Sequence, residues 1–299
     1  MSPGRDDTRL DGPSLVRSAA QLLASGPRHT LDVARLVLGL SGHDGAASAA
    51  VFQLLGTDPR FLVDAEGTWR LDAAMAPYGT PLTDVRFAVV DVETTGRGPW
   101  LGNRIIEVAI VEARGGAIVD EYATLINPAQ GVPGVITSLT GITSAMVAAA
   151  PYFEHVAEEV RARLEGRVFV AHNATFDWSF VSSELVAASV DAPDVPRLCT
   201  VRMCRRLVPG LRHRNLDVLS RHFGIENHAR HRAYGDALVT ARVLLRLLDE
   251  AVGRGIDDLS TLEWYLKRRR QRKRFDPGQY SLELPGYATH ARRRRGNRR

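Results

Sequence analysis

Asp91-Val92-Glu93-Thr94-Thr95-Gly96 follows directly on the apolar run Val85 to Val90. The run is rich in aliphatic and β-branched residues and reads as a buried strand that ends in acid. Residues i and i+2 of a strand point to the same side. Asp91 and Glu93 therefore present two carboxylates together at the end of a hydrophobic strand. Like charges held this close raise each other's pKa unless a positive group sits between them. A hard divalent cation, which takes carboxylate oxygens, is one such group. An acidic strand end on the surface is the other reading, and the pair alone leaves both open.

Outward from this stretch, Arg104 to Glu112 and Ala117 to Ile126 read as two more strands, joined by Arg114-Gly115-Gly116. That spacing suits a hairpin, so three consecutive antiparallel strands are expected. Short helical pieces follow, and Pro151 opens a longer helix to Leu164. Arg167 to Ala171 reads as a fourth buried strand, with a helix from His172-Asn173-Ala174-Thr175-Phe176-Asp177 to about Ala188. A fifth strand is placed near Arg197 to Cys199, followed by helices near 200–207, 215–223 and 234–252. A meander followed by alternating strands and helices predicts an α/β domain over 84–253 with a mixed five-stranded sheet flanked by helices.

Three more polar groups stand out on this frame. Asp177 lies at the start of the helix after the fourth strand, and Asp236 at the start of the long helix near Tyr234. His231 precedes Asp236 by five positions, about 140° away were both on one helix. His231 is therefore expected in the loop before it. Taken singly, an acid at a helix start is commonly a cap or a dipole partner. The order of all four parts changes that balance. Asp91-x-Glu93, then His172-Asn173-x-x-Phe176-Asp177, then His231-x-x-x-x-Asp236 resembles the three motifs of the DEDDh 3′→5′ exonucleases, specifically the DnaQ-like group of the polymerase epsilon subunit. Arg104-Ile105-Ile106-Glu107-Val108-Ala109 and Leu139-Thr140-Gly141-Ile142-Thr143 fall where that family has them as well. One departure is Cys199-Thr200, where many relatives have Asp before the Thr.

The resemblance implies an RNase H-like fold and a two-metal phosphodiesterase. Asp91, Glu93, Asp177 and Asp236 would hold two divalent cations, Mg²⁺ or Mn²⁺, and His231 would take the proton of the attacking water. Thr94, Thr95, Leu139 and Phe176 match positions that line the terminal nucleotide, and Asn173 and Glu107 are expected to brace the site. Phe176 is equally read as core. The implied substrate is a single-stranded 3′ end, DNA favoured over RNA, released as nucleoside 5′-monophosphates in repair or proofreading. An exoribonuclease, or a polymerase-associated binding module, is the competing expectation.

Before this domain, residues 1–80 read as three helices and a hairpin, with Thr30 placed to cap the second helix and Ala46 to Leu55 as the third. Asp58-Pro59-Arg60-Phe61 and Gly67-Thr68-Trp69 resemble bacterial HARE-type winged helices. Winged helices often read DNA, but this stretch has seven Arg against nine Asp and Glu, and its third helix carries no charge. A protein contact, such as a polymerase or repair partner, and a nucleic-acid contact both stay open. Ala73 to Thr83 reads as the linker.

Charge is unevenly spread along the 299 residues. From Arg254 to Arg299 there are fourteen Lys and Arg against five Asp and Glu, a net +9, so the rest carries −4 of the chain's +5. Residues 254–299 are read as a basic, partly helical or disordered tail, and as a phosphate clamp that makes binding salt-sensitive. Only two cysteines, Cys199 and Cys204, occur, without metal-type spacing. With no apolar run of about 18 residues and no apolar signal core at the start, a cytoplasmic protein without a membrane span is expected.

Overall fold

The computed structural model describes residues 12–72, 80–227 and 230–267. They fall into two compact units that divide between residues 74 and 75. In the first, α1 (Gly12–Ala24), β1 (Arg28–His29), α2 (Thr30–Leu38) and α3 (Asp44–Leu55) precede a hairpin of β2 (Phe61–Val63) and β3 (Thr68–Leu71). The three short strands form one antiparallel sheet in the order β1-β3-β2. Gly67 makes the hairpin turn at φ +81°, a conformation a Cβ would resist. Its carbonyl accepts the Thr30 hydroxyl at 2.7 Å, and Thr30 Oγ1 accepts the fully buried Trp69 indole N–H at 3.0 Å. Thr30 is thereby committed to the hairpin. The ring of His29 caps α2 instead, accepting the Leu31 N–H at 3.3 Å. Helix α3 starts at Asp44, earlier than expected, so its first turn does carry an acid.

Arg60 in this unit is wholly buried, and its guanidinium meets the Asp58 carboxylate through Nε at 3.1 Å and Nη2 at 2.7 Å. A buried ion pair is tolerated only while both partners remain, because an orphaned charge keeps its full desolvation cost. Asp58→Ala is expected to lower stability by about 3–5 kcal/mol in urea unfolding followed by tryptophan emission. A loss below about 1 kcal/mol would mean that water reaches Arg60 freely.

The second unit is built on a sheet of β4 (Phe87–Thr94), β5 (Ile105–Arg114), β6 (Ala117–Leu125), β7 (Val168–Ala171) and β8 (Arg197–Cys199), ordered β6-β5-β4-β7-β8. The first three form the antiparallel meander, while β7 and β8 run parallel to β4. Helices α4 (Gly134–Thr140), α5 (Ser144–Ala148) and α6 (Phe153–Leu164) lie between β6 and β7 in sequence, and α7 (Ala174–Ala187) connects β7 to β8. The chain continues with α8 (Thr200–Leu207), α9 (Leu216–His222), α10 (Ala233–Gly253) and α11 (Leu259–Lys267). The expected mixed five-stranded α/β sheet is present.

Strand β4 is apolar on both sides because both are covered. Phe87 and Val89 share a core with Leu244 and Leu247 of α10, whereas Ala88, Val90 and Val92 pack among Val160 of α6 and Phe180 and Val181 of α7. The strand runs on to Thr94 and carries Asp91 and Glu93 at its acidic end, as expected. Residues 254–267 complete the core through Ile256 and Leu262, both fully buried. Opposite them Leu82 is buried, and its N–H donates to the Asp257 carbonyl at 2.8 Å. Part of the expected linker is thus packed; its residues 73–79, and the tail from 268, lie outside the described residues.

Candidate active site

The alternation of β4 carries Asp91 and Glu93 on the same row as Phe87 and Val89, the row that faces α10. Asp236 lies in the first turn of α10. One carboxylate oxygen from each of Asp91, Glu93 and Asp236 lies within 4.8 Å of the others. Asp177 reaches the neighbourhood from the other layer, in the first turn of α7 and nearly fully buried. Pairing of β7 with β4 ends at Val89, and the Val92 N–H beyond it donates to the Asp177 carboxylate instead.

This placement is electrostatically costly without a cation. Burial first, then the charges of Asp177, Asp236, Glu93 and Glu107, push the Asp91 carboxyl well above the usual carboxylate range. Burial with Asp236 and Glu107 raises Glu93 to about 7, against the pull of Arg232. Asp177 is raised to about 8 by burial and by Glu93, although two backbone N–H groups favour its ionised form. An all-oxygen donor set of this charge fits a hard divalent cation. The residues present therefore suit the metal chemistry that their sequence order implied.

Glu107 explains how Asp236 is held. It lies directly across from Glu93 in the β4–β5 pairing, a like-charge juxtaposition that a sheet tolerates poorly. Arg232 relieves it, donating to Glu107 Oε1 from Nη2 at 2.6 Å and to Oε2 from Nε at 3.1 Å. The same carboxylate accepts the Ala233 N–H at 2.8 Å, which fixes the N-terminus of α10 to β5. Arg232 was not singled out from the sequence, because the register that sets Glu107 opposite Glu93 is not visible there.

His231 stands in the turn before α10, at φ +57°. Its N–H donates to Asp236 Oδ2 at 2.9 Å, and Asn227 donates to Oδ1 at 2.9 Å, so both oxygens of Asp236 are oriented. A left-handed His is uncommon, and strained residues of this kind gather at functional sites. Asn173, at φ +82° before α7, is a second such residue.

The β4–β5 register slips between Glu93 and Thr94, a bulge that turns the chain away from the ladder just past the second carboxylate. Thr94 and Thr95 are buried and bonded internally. The Thr94 hydroxyl donates to the Gly96 carbonyl at 2.7 Å, and Thr95 Oγ1 accepts the Arg104 N–H at 2.9 Å. Leu139 on α4 is 53% exposed, whereas Phe176 is half-buried with its ring 5.1 Å from that of Phe180. The structure thus clusters three acids around β4 and α10 and sets Asp177 beside them.

Residues 88–244, just over half of the chain, match the exonuclease family. The chain belongs to the exonuclease family. Over 165 residues it is 42% identical to the 3′-5′ exonuclease DinG of Bacillus subtilis, covering 55% of this chain and 18% of that protein. Over 221 residues it is 34% identical to a PolC-type DNA polymerase III of Thermotoga maritima, covering 74% of this chain and 16% of that one. The chain thus spans less than a fifth of either relative's length. Among solved structures, E. coli exonuclease I in complex with a dT13 oligonucleotide superposes with a TM-score of 0.50 at 18% identity, over 56% of this chain and 42% of that one. That likeness concerns the fold, and the five-stranded mixed sheet of this exonuclease domain is RNase H-like.

Proposed function

We propose that the protein is a metal-dependent 3′→5′ exonuclease that removes nucleotides from single-stranded 3′ ends, with DNA preferred over RNA. The observation that carries this reading is the convergence of Asp91, Glu93 and Asp236 within 4.8 Å, beside a buried Asp177 and with Asp236 held by the N–H of His231. Asp91, Glu93, Asp177 and Asp236 would hold two cations, Mg²⁺ or Mn²⁺. Bound there, the cations would neutralise the scissile phosphate and acidify the attacking water. His231 accepts the proton of that water, for which an imidazole near neutral pH is suited. The water oxygen bonds to phosphorus, the bond from phosphorus to the 3′ oxygen of the preceding nucleotide breaks, that oxygen takes a proton from solvent to become the new 3′-hydroxyl, and the terminal nucleotide departs as its 5′-monophosphate. Arg232 and Glu107 keep α10 in register with β4 throughout, so that Asp236 does not drift when the charges around it change. Thr94 and Thr95 shape the loop floor under the terminal nucleotide, with Leu139 and Phe176 as apolar contacts for its sugar and base. The similarity to a 3′-5′ exonuclease and to polymerase chains supports this reading. The first unit is then a winged-helix module for DNA or for a repair or polymerase partner.

The test uses a 5′-labelled dT20 strand. With Mg²⁺ or Mn²⁺ it is expected to shorten stepwise, releasing dTMP, and EDTA should stop the reaction. Persistent digestion in EDTA, or an intact strand with either metal, would overturn the assignment. The same assay on U20 is expected to run more slowly; a faster RNA reaction would make the protein an exoribonuclease.

A further inference from the structure

We infer that a basic and aromatic cleft on the far side of α7 is a second contact site for the nucleic-acid strand, one that binds internal phosphates upstream of the cut. The inference rests on the proposed function in taking nucleic acid as the ligand. Its centre is a cavity of about 390 Å³ lined by Ala174, Thr175, Trp178, Ser179, Arg197 and Arg202, with Cys199 at its edge. No carboxylate lines it. Arg197 and Arg202 are both exposed, and among the described residues neither forms an ion pair. Many other arginines of this unit are engaged, as Arg86, Arg104, Arg163, Arg167 and Arg232 illustrate. Two guanidinium groups without a carboxylate partner at one cavity call for an anion.

The aromatic wall narrows the choice. The guanidinium of Arg197 lies over the Trp178 ring, 5.0 Å from its centroid, and that ring is only half-buried. An indole edge with a stacked arginine is a platform for an unpaired base next to its phosphate. A strand fits this better than a lone phosphate, because the cleft continues. A neighbouring cavity of about 540 Å³ shares Arg197, Cys199 and Arg202 and extends to Lys267. Two acids line that second cavity: Glu263 is taken by Lys267 at 3.1 Å, and Asp194 is exposed. In sequence, Lys267 leads straight into Arg268-Arg269-Arg270.

The cleft also has a structural link to the carboxylates. Ala174 and Thr175 belong to the first turn of α7, the turn that carries Asp177 toward the acids. On a helix, Thr175 and Ser179 lie on the side roughly opposite Asp177. Cys199 is followed by Thr200, whose hydroxyl is 2.9 Å from His172 Nδ1, two residues before α7. A strand whose 3′ end lies at the carboxylates can pass around this helix start and lay its upstream phosphates on Arg197 and Arg202.

The test is direct binding in EDTA, which needs no turnover and so stands or falls separately from the catalytic reading. Fluorescein-labelled dT20 and dT3 are titrated into the full chain by anisotropy from 50 to 300 mM NaCl. Two lost phosphate contacts should make the salt slope of the R197Q/R202Q variant shallower by about 1.4 and weaken dT20 binding about tenfold at low salt, with less than a twofold loss for dT3. The R197K/R202K variant, which keeps both charges, should retain the parent slope and guards against a folding artefact. An unchanged slope and dT20 affinity in R197Q/R202Q would overturn the inference. An equal loss for dT3 and dT20 would do the same, because the cleft would then serve the terminal nucleotide.

Discussion

Asp91→Asn is expected to lower kcat/KM on a single-stranded DNA oligonucleotide at saturating Mg²⁺ at least about a thousandfold. Asp91 is the residue on which the acidic group centres: Asp177, Asp236, Glu93 and Glu107 all press on its charge. It is also one of the three whose oxygens converge within 4.8 Å. Asparagine keeps the shape and one oxygen but removes the charge, so the sheet should survive while the proposed cation site loses one of its carboxylate donors. Groups fixed in advance where charge develops typically contribute about a hundred- to a thousandfold each. Asp91, on whose charge four other acids press, should reach or pass the upper figure. Raising Mn²⁺ should recover only a small part, because the loss lies in transition-state stabilisation as well as in occupancy. Activity within tenfold of the parent, from protein purified free of host nucleases, would remove Asp91 from the mechanism and with it the two-metal reading.

The architecture was legible because one pattern repeats throughout the second unit. Apolar runs such as Val168 to Ala171 are buried on both faces, and a sheet with helices on both sides is the arrangement that accommodates them. The order of Asp91, Glu93, Asp177, His231 and Asp236 was equally readable, since each sits where a strand ends or a helix begins. What the sequence hid are contacts between distant positions of unremarkable type. Glu107 and Arg232 are 125 residues apart, and Arg104 and Glu184 are 80 apart, the latter pair joined at 2.6 Å and 2.8 Å between the residue before β5 and α7. Neither pair has a local periodicity to betray it; each follows only from the register of β5 against helices whose positions depend on the whole fold. The helix cap failed for a similar reason. Thr30 has the chemistry of a cap, but the turn at Gly67, 37 residues on, claims its hydroxyl. The packing of Ile256 and Leu262 was obscured in turn by the basic residues that follow, which drew the whole segment into the tail.

The second large effect concerns stability without metal. In EDTA the Tm should fall as pH rises from 5 to 8, by about 5 °C more for the parent than for Asp177→Asn. The sign follows from linkage. Glu93 and Asp177 have folded-state pKa values raised to about 7 and about 8, against ordinary values of 4.5 and 3.8. Below about pH 3 both carboxyls are protonated folded or unfolded, and the fold bears no penalty. As pH rises the unfolded chain releases these protons first, so it holds fewer protons than the native state and the free energy of unfolding declines. The loss accumulates up to about pH 8 and then levels off. Two other groups bound the window. Glu112, held below the usual range by Arg86 and Arg167 against its own burial, is ionised in both states above pH 5 and adds no slope. His172, pushed down by burial, adds stability as pH rises toward 6.5, which opposes the trend and is common to parent and variant. Their difference therefore isolates the acidic group. Asparagine at 177 can still accept the Val92 N–H, so its Tm should exceed the parent's at pH 8, and the excess should narrow toward pH 5. Saturating Mg²⁺ binds the ionised carboxylates of the folded state, so the gain in Tm that it gives should widen from pH 5 to pH 8. Parallel Tm curves for parent and Asp177→Asn in EDTA would show that the carboxyls are already relaxed by solvent, and would leave their crowding with no part in recruiting the cations.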